Sequence, residues 1–310
     1  MKRKLILLTL SVLLFSGLNI KGQDTLWVKN NTWYFDNFSD PELPWSLFRE
    51  TFTGVAPTPS GDFDLLFYNE LYKTNLAAKG HCYGMCVLAL LMKKYGGYLG
   101  YCYPPYKYSG LISHPDVDTI GPSDPNLKTA IAMVHGNQIN HGFLLYLLDV
   151  IAAAKNRDGR YAFQQTVYYL AKDDPPVISV TKGLNPADGG HVLIPYFTKE
   201  IGTYKRIYVY DPNRSYYKPG ADGKDWYQTY QNYIEVKNSN GEWKFIMNGG
   251  EVWTGNPGSG GNCIVIPLSV AGRKDRLPQS LIAEGAYALN TIFIFGKNKL
   301  QPYQAQWRLW

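Results

Sequence analysis

The sequence lacks the residue spacings that proteins commonly use to hold a structural metal ion. Its 310 residues include four cysteines and five histidines, with neither a CxxC nor an HxxxH pattern. The cysteines are Cys82, Cys86, Cys102 and Cys263. None of them completes a familiar zinc spacing, and His135 and His141 lie six residues apart, on different faces of a helix. These absences argue against a metal site, and we expect no cofactor.

A phosphate-binding loop, internal repeats and low-complexity tracts are also missing. The glycine-rich stretch at 255–261 reads GNPGSGG, but no Lys-Ser or Lys-Thr pair follows it, as a P-loop would require. We therefore expect a turn at this stretch. Neither nucleotide chemistry nor a repeat architecture is indicated.

Long hydrophobic runs are absent except at the N-terminus. Basic residues at 2–4 precede an apolar run from Leu5 to Phe15, which is too short to span a bilayer comfortably. This pattern is typical of a signal peptide over residues 1–22, cleaved near Gly22, and a retained anchor is the alternative. No cysteine ends the segment, so a lipoprotein anchor is unsupported. We expect a secreted or periplasmic protein without stable membrane insertion after signal removal.

Net charge is small once the predicted leader is set aside. The whole chain carries a formal charge of +6, and four lysine and arginine residues without any acid lie within the leader, which leaves +2. A nearly neutral protein of this size has little electrostatic attraction for polyanions. We therefore expect neither nucleic acid nor an anionic membrane as a partner.

Aromatic residues, in contrast, are abundant. They make up 15% of the chain, with 25 tyrosines, so extensive disorder is not expected. The length suits one large domain with a small appendage. We predict one domain over residues 23–270 and a C-terminal extension of unclear fold over residues 271–310. Export would permit disulfides, and Cys102 with Cys263 is one possible pair among Cys86, Cys102 and Cys263.

The pattern of apolar residues changes period near Pro176. Before it, residues 24–60 resemble short strands or an extended wrap, and four segments then have helical spacing: 62–76, 83–95, 127–154 (two helices or one kinked helix) and 161–171. After Pro176, six segments rich in β-branched and aromatic residues are separated by turns: VISVT, HVLIPYF, RIYVYD, NYIEVK, EWKFIM and CIVIPL. Helices followed by an antiparallel sheet predict an α+β fold.

A cysteine stands where a loop of small residues enters an apolar helix. The stretch GHCYGMC covers residues 80–86, and every face of the helix that follows is apolar, which predicts a buried helix. The unpaired N–H groups at a helix N-terminus stabilise a thiolate and can hold an oxyanion. Cys82 is therefore the candidate nucleophile. Cys86, one turn inside the helix, reads as a buried apolar residue.

A candidate base and acid lie on two successive strands. His191 follows Gly189-Gly190 and opens a strand, and IYVYDPN at 207–213 ends the next one. If the two strands pair about Ile201, Asp211 lies directly opposite His191 and can orient its imidazole, with Asn213 as the alternative orienting residue. Each residue also has an alternative structural interpretation. A histidine that opens a strand is often structural, and Asp211 can simply begin a turn, because Asp-Pro-Asn is a common turn sequence.

These motifs resemble the papain-like cysteine peptidase superfamily. Cys82 to Ala89 follows the pattern around the family's nucleophile, Gly189 to Val192 is similar to the strand bearing the catalytic histidine, and Tyr210 to Asn213 resembles the site of the third residue. The order is similar to bacterial double-glycine leader peptidases and their exported relatives. The resemblance covers residues 60–270. It implies a papain-like fold, in which a buried nucleophile helix within a helical N-terminal part packs on an antiparallel sheet.

The sequence departs from this family at the oxyanion hole. The family usually has a glutamine about six residues before the nucleophile, and this chain has Leu76 there. Asn75 is the nearest upstream amide, and Gln138 is a candidate from the second helical region. Either side chain could supply a hydrogen bond that stabilises the oxyanion.

The combined motifs predict an exported thiol hydrolase that cleaves a peptide or protein substrate through an acyl-enzyme. In this interpretation Cys82 attacks the acyl carbon, His191 transfers the proton and Asp211 orients His191. A transglutaminase-like acyl transferase has the same order of residues and remains an alternative. A non-catalytic peptide- or carbohydrate-binding protein on a decayed peptidase fold is a third reading, suited by the many loop tyrosines.

Overall fold

The computed structural model describes residues 23–39, 42–59, 61–109, 125–184, 189–214, 216 and 232–278. The predicted signal peptide at 1–22 and residues 279–310 of the predicted C-terminal extension lie outside these ranges. Within the described ranges, none of the helices combines the length and apolar character needed to cross a membrane.

The first half of the chain is helical, as the sequence predicts. The α-helices are α1 (Gln23–Asn31), α2 (Trp45–Phe48), α3 (Asp62–Leu65), α4 (Cys82–Tyr95), α5 (Pro125–His135), α6 (His141–Ala152), α7 (Gly159–Ala171) and α8 (Leu268–Ala271). A π-helical segment, Leu66–Leu76, continues α3, and a 3₁₀ turn, Gly136–Ile139, separates α5 from α6. The interrupted pattern over 127–154 is therefore two helices.

The second half of the chain forms a curled antiparallel sheet of eight strands. In spatial order the strands are β10 (Cys263–Pro267), β3 (Pro176–Thr181), β4 (Gly190–Ile201), β5 (Tyr204–Tyr210), β6 (Tyr233–Lys237), β7 (Trp243–Ile246), β8 (Val252–Asn256) and β9 (Ser259–Gly260). A separate hairpin pairs β1 (Gly97–Tyr98) with β2 (Tyr101–Cys102). All six predicted strand segments lie in this sheet, which confirms the α+β class.

Helix α4 is the centre of the larger of two apolar cores. Every residue from Tyr83 to Met92 is buried, as the all-round apolar pattern predicts. The helix ends at Gly96, whose φ of 75° is the left-handed conformation that glycine adopts at helix C-termini. On one side α4 crosses α5, and on the other it packs against β4. Its N-terminus is therefore fixed beside the start of β4.

A second apolar core lies between the sheet and α7. Ala162 and Phe163 of α7 pack with residues from most strands of the sheet, including Leu193 of β4 and Val209 of β5. Val192 and Ile194, which alternate with Leu193, belong to the core around α4. Strand β4 is therefore buried on both faces, and this fixes the position of His191 at its start.

The structure contradicts two details of the sequence interpretation and confirms a third. Residues 24–60 begin with helix α1 rather than with strands, because packing of Val28 in the core outweighs a sequence with poor helix propensity. The turn predicted at 255–261 is confirmed, since residues 257–258 form the turn of the β8–β9 hairpin. All four cysteines are free thiols, and the proposed Cys102–Cys263 disulfide is wrong because Cys102 is exposed while Cys263 is buried.

The first residues of the predicted C-terminal extension pack onto the domain. The N–H of Thr53 donates to the carbonyl of Asp275, and the N–H of His141 donates to the carbonyl of Arg276. Leu277 is buried in the core around α4. Residues 271–278 therefore belong to the same folded unit as the helices.

Candidate active site

Three segments that are far apart in the sequence meet at the N-terminus of α4. Helix α4 begins at Cys82, with His81 at the N-cap position. His191 lies in β4, one residue after its start, and Asp211 directly follows the last residue of β5. Packing of α4 against β4 brings the first segment to the other two.

His191 and Asp211 form a buried, short hydrogen bond. Nε2 of His191 donates to Oδ1 of Asp211 at 2.6 Å, and the side chains are 3% and 0% exposed. Such a bond in a water-excluded position fixes both the plane of the ring and the nitrogen that carries the proton. Nδ1 is consequently the ring nitrogen that remains for an interaction with another group.

The register of the hairpin differs from the predicted one. The strands turn at Gly202-Thr203, so that Ile201 pairs with Tyr204, and a bulge at Tyr196 shifts the register by one residue. Ile194 then pairs with Tyr210, which leaves Asp211 opposite Leu193 rather than opposite His191. His191 reaches Asp211 diagonally, across a spacing that long side chains can bridge.

The Cys82 thiol lies close enough to the His191 ring to raise its pKa. Burial of the ring opposes its positive charge, but the charge and hydrogen bond of Asp211 outweigh burial, and Cys82 adds to their effect. The net result is a pKa of His191 well above its usual range. Cys82 is partly exposed. The site thus combines an accessible thiol with an imidazole that favours its protonated form.

Asp211 is held as a carboxylate by groups on its far side. Burial opposes its ionisation, but His191, Arg214 and the N–H of Asn213 together outweigh burial and lower the pKa of Asp211. The Asn213 N–H donates to Asp211 Oδ1 at 2.8 Å, and Nη1 of Arg214 lies 3.7 Å from Oδ2. Asn213 therefore contacts the acid through its backbone.

Arg214 is a buried part of this site that the sequence did not reveal. Its side chain is 1% exposed and donates to Oδ1 of Asn232 and to the carbonyl of Ile246, both at 2.6 Å. These bonds connect the turn after β5 to the end of β7. The adjacency of an arginine to Asp-Pro-Asn is a weak signal, because nothing in the sequence indicates that this cation is buried.

Cys86 occupies a different environment from Cys82. Its thiol donates to the carbonyl of Val192 at 3.4 Å and is fully buried. Burial raises the pKa of Cys86, and the nearby Cys82 and Asp211 raise it further. Cys86 therefore stays protonated and acts as a packing residue between α4 and β4, so Cys82 is the thiol with access to both solvent and the histidine.

The two amides considered for the oxyanion hole have other hydrogen bonds. Nδ2 of Asn75 donates to the carbonyl of Glu70 at 2.5 Å, within its own helix. Gln138 is buried, and its Nε2 lies 3.0 Å from the carbonyl of His135 and 3.1 Å from Nε2 of the same residue. Gln138 thus belongs to a polar cluster with His135, and neither of these hydrogen bonds reaches Cys82.

This polar cluster hydrogen-bonds the first turn of α4. His135 is buried, and its Nδ1 accepts a hydrogen bond of 3.3 Å from the N–H of Gly84. Burial, together with repulsion from His81, lowers the pKa of His135, so its ring is neutral and can accept this bond. His135 therefore satisfies one N–H of the first turn of α4, which leaves fewer of these groups for a ligand.

Of the two glycines before His191, Gly189 allows another chain segment to approach closely, whereas a Cβ at Gly190 would meet no atom within 4 Å. Gly189 has a φ of 131°, and the ring of Trp253 lies against it where a side chain would otherwise project. Across the residues that the structure describes, no group of three or more side chains has a metal-binding arrangement.

Comparison of this chain with protein-family models, with curated proteins and with solved structures finds no match.

Proposed function

We propose that this protein is a thiol hydrolase of the papain-like type, which cleaves peptide or amide bonds through an acyl-enzyme on Cys82. The observation that carries the proposal is the Cys82–His191–Asp211 arrangement, in which a partly exposed thiol at a helix N-terminus lies beside a histidine that a buried carboxylate holds. Nucleophile, base and orienting acid in such contact are the signature of nucleophilic catalysis.

The reaction follows from the protonation states in the site. The thiol proton passes to Nδ1 of His191, and the Cys82 thiolate forms a bond to the carbonyl carbon of the substrate. The resulting oxyanion collapses, the bond to the amine breaks, and His191 donates its proton to the departing nitrogen. Water then attacks the thioester while His191 takes its proton. The carbon–sulfur bond breaks, the acid product leaves and His191 reprotonates Cys82.

Asp211 contributes to this cycle by keeping the imidazole in one orientation and by favouring its protonated form. The backbone N–H of Cys82, at the start of α4, is the donor that we assign to the oxyanion. The motif resemblance, the order helices then antiparallel sheet, and the position of the thiol at the start of a buried helix support a papain-like fold. The leader-like N-terminus supports export, to the periplasm or outside the cell.

Covalent labelling tests this proposal without knowledge of the substrate. We expect an electrophilic probe such as a peptidyl epoxide to modify wild-type protein on Cys82, located by peptide mass spectrometry, and faster than on the exposed Cys102. Cys82→Ala should abolish the fast labelling and His191→Ala should slow it by about 10²-fold or more. Cys86→Ala is the matched control and should label like wild type.

The outcomes separate the proposal from its alternatives. Loss of labelling only in Cys86→Ala would reverse the assignment of the nucleophile. Labelling of Cys82 no faster than that of Cys102 would overturn the hydrolase and favour a binding protein. Incubation of the labelling-competent protein with a peptide library and a tagged amine separates peptide cleavage from amine incorporation, and predominant incorporation would indicate an acyl transferase.

A further inference from the structure

The segment after α1 links the two loops that carry the candidate nucleophile and acid. The N–H of Asn37 donates to the carbonyl of Pro212 at 2.8 Å, directly after Asp211. The side-chain Oδ1 of the same Asn37 accepts from the N–H of His81 at 2.8 Å, directly before Cys82. One residue therefore joins both flanks of the site, over 175 and 44 positions of sequence.

Asn37 also fills a space that only glycine leaves open. Its Nδ2 lies 2.8 Å from the ideal position of a Cβ at residue 80, closer than real Cβ contacts, and Gly80 has a φ of 108°. The side-chain amide is consequently in contact with two successive residues of the loop before Cys82, with its oxygen on His81 and its nitrogen against Gly80. This contact fixes the path by which the loop enters α4.

Phe38 also contacts His81, through hydrogen bonds to its carbonyl and stacking of the two rings. The carbonyl of Phe38 accepts from the His81 N–H at 2.9 Å and from Nδ1 of the His81 ring at 3.0 Å, and the two rings stack with centroids 5.1 Å apart. His81 is fully buried, with φ and ψ of −107° and 26°, outside the helical region. Residues 37–38 therefore define the conformation of the residue that precedes the nucleophile.

We propose that Asn37 is a positioning residue of the active site, which sets the thiol of Cys82 against His191 by coupling the loop before Cys82 to the turn after Asp211. This inference rests on the proposed function. The backbone bond to Pro212 holds the acid side in place, and the side-chain bond to His81 holds the nucleophile side. Any change that removes the side chain leaves the backbone bond to Pro212 and the Phe38 contacts in place, and removes only the Asn37 side-chain contacts with the loop before Cys82.

The test compares Asn37→Ala with Asn31→Ala, a matched substitution at the last residue of α1. The Asn31 side chain also makes two hydrogen bonds, from its Nδ2 to the carbonyl of Trp27 and to its Oδ1 from the hydroxyl of Tyr103, without contacting the site. Alkylation of Cys82 by iodoacetamide is measured from pH 5 to pH 9, and thermal unfolding reports whether each variant is folded.

We expect Asn37→Ala to lower the ratio of the Cys82 alkylation rate at pH 6 to that at pH 9 by about tenfold, because the thiol no longer shares its proton with His191. Asn31→Ala should keep the wild-type ratio even if its unfolding temperature falls as far. Asn37→Asp retains the oxygen that accepts from His81 and should recover part of the ratio.

Equal pH profiles for Asn37→Ala and wild type would overturn this inference, and so would an equal change in Asn31→Ala. If Asn37→Ala does not fold, Asn37→Asp decides: a wild-type profile or a partial decrease supports positioning, and a complete loss of the pH 6 reaction contradicts it. These results are distinct from failure of the proposed function, in which Cys82 of the wild-type protein itself reacts no faster than Cys102.

Discussion

A single buried carboxylate sets the chemistry of the candidate site. Asp211 accepts from His191 and from the N–H of Asn213, and its other oxygen faces the guanidinium of Arg214. Because the carboxylate is shielded from water, its charge acts strongly on the imidazole and raises the pKa of His191. The acid therefore does more than orient the ring, since it decides which protonation state the ring has.

Asp211→Asn separates orientation from charge, since an amide oxygen can still accept from His191. We expect the pKa of His191 to fall and the rate of Cys82 alkylation at pH 6 to fall about tenfold for each unit of that change. Rates measured by mass spectrometry between pH 5 and pH 9 give the profile.

Glu235→Gln is the control for this carboxylate-to-amide change. Glu235 is paired with Arg206 at 2.9 Å and with Lys244 at 2.7 Å, and these contacts lie on β5, β6 and β7 rather than at the thiol. Its profile should match that of the wild type. Identical profiles for Asp211→Asn and wild type would show that the charge of Asp211 does not govern His191.

The positions of Cys82, His191 and Asp211 follow from local sequence, but their supporting residues do not. A helix start, a strand start and a strand end each leave a pattern in neighbouring residues. The diagonal contact between His191 and Asp211 depends on a bulge at Tyr196, which no local pattern reveals. Asn37 contacts residues 44 and 175 positions away, and such contacts exist only after the chain has folded.

At the level of elements, helix α4 is held by an unusually close crossing with α5. A Cβ at Gly84 would overlap the carbonyl oxygen of Ile131 and would lie 2.9 Å from the Cβ of His135. The absent side chain allows the two backbones to approach until the Gly84 N–H bonds Nδ1 of His135. The crossing of α4 and α5 therefore fixes the position of Cys82 relative to β4.

Gly84→Ala should disrupt this crossing, because the added Cβ would clash with backbone atoms of α5, which cannot rotate away as the end of a side chain can. We expect a loss of about 2–3 kcal/mol in the free energy of unfolding, measured by chemical denaturation. The change should also slow Cys82 alkylation.

Gly61→Ala is the matched control, since no atom lies within 4 Å of a Cβ added there. Its unfolding free energy should stay within about 0.5 kcal/mol of the wild type. A similar small effect in Gly84→Ala would mean that the two helices can separate without cost, which the observed packing contradicts.

The sequence predicts elements well where a strong period or a breaker marks them. The ends of α4 follow from the apolar pattern and from Gly96, and the six strand segments follow from β-branched and aromatic residues. Helix α1 was missed because its nine residues include two asparagines and few strong helix formers, so tertiary packing of Trp27 and Val28 decides its conformation. The sequence does not predict strand β8, because the residues on both sides of it are rich in glycine and turn-forming residues.

At the scale of the whole molecule, the buried pair of His191 and Asp211 links stability to pH. Asp211 has a lowered native pKa, so its contribution is present above about pH 4 and is lost as the pH falls through that native value. His191 has a raised native pKa, so its contribution is complete below about pH 6.5 and is lost as the pH rises through the native value. The pair therefore stabilises the fold most between about pH 4 and pH 6.5.

The difference in unfolding free energy between wild type and Asp211→Asn should be about 3 kcal/mol in this window and should shrink on both sides of it. Denaturant titrations at pH 3, 5.5 and 9 measure the difference. In the Glu235→Gln control the acid-side loss is expected too, but the difference should stay constant up to pH 9, because the partners of Glu235 are Arg206 and Lys244. A pH-independent difference for Asp211→Asn would contradict the coupling.

The link that Asn37 makes to Pro212 has a consequence for the timing of activity during biosynthesis. During synthesis Cys82 emerges early. His191, Asp211 and the Pro212 carbonyl that accepts from Asn37 emerge more than a hundred residues later. Any nascent chain that ends before residue 191 therefore has the Cys82 thiol without its proton acceptor His191, and Asn37 without its hydrogen bond to Pro212. On the proposed function, latency is thus inherent in the order of the residues, because the three site residues coexist only once β4 and β5 have been synthesised.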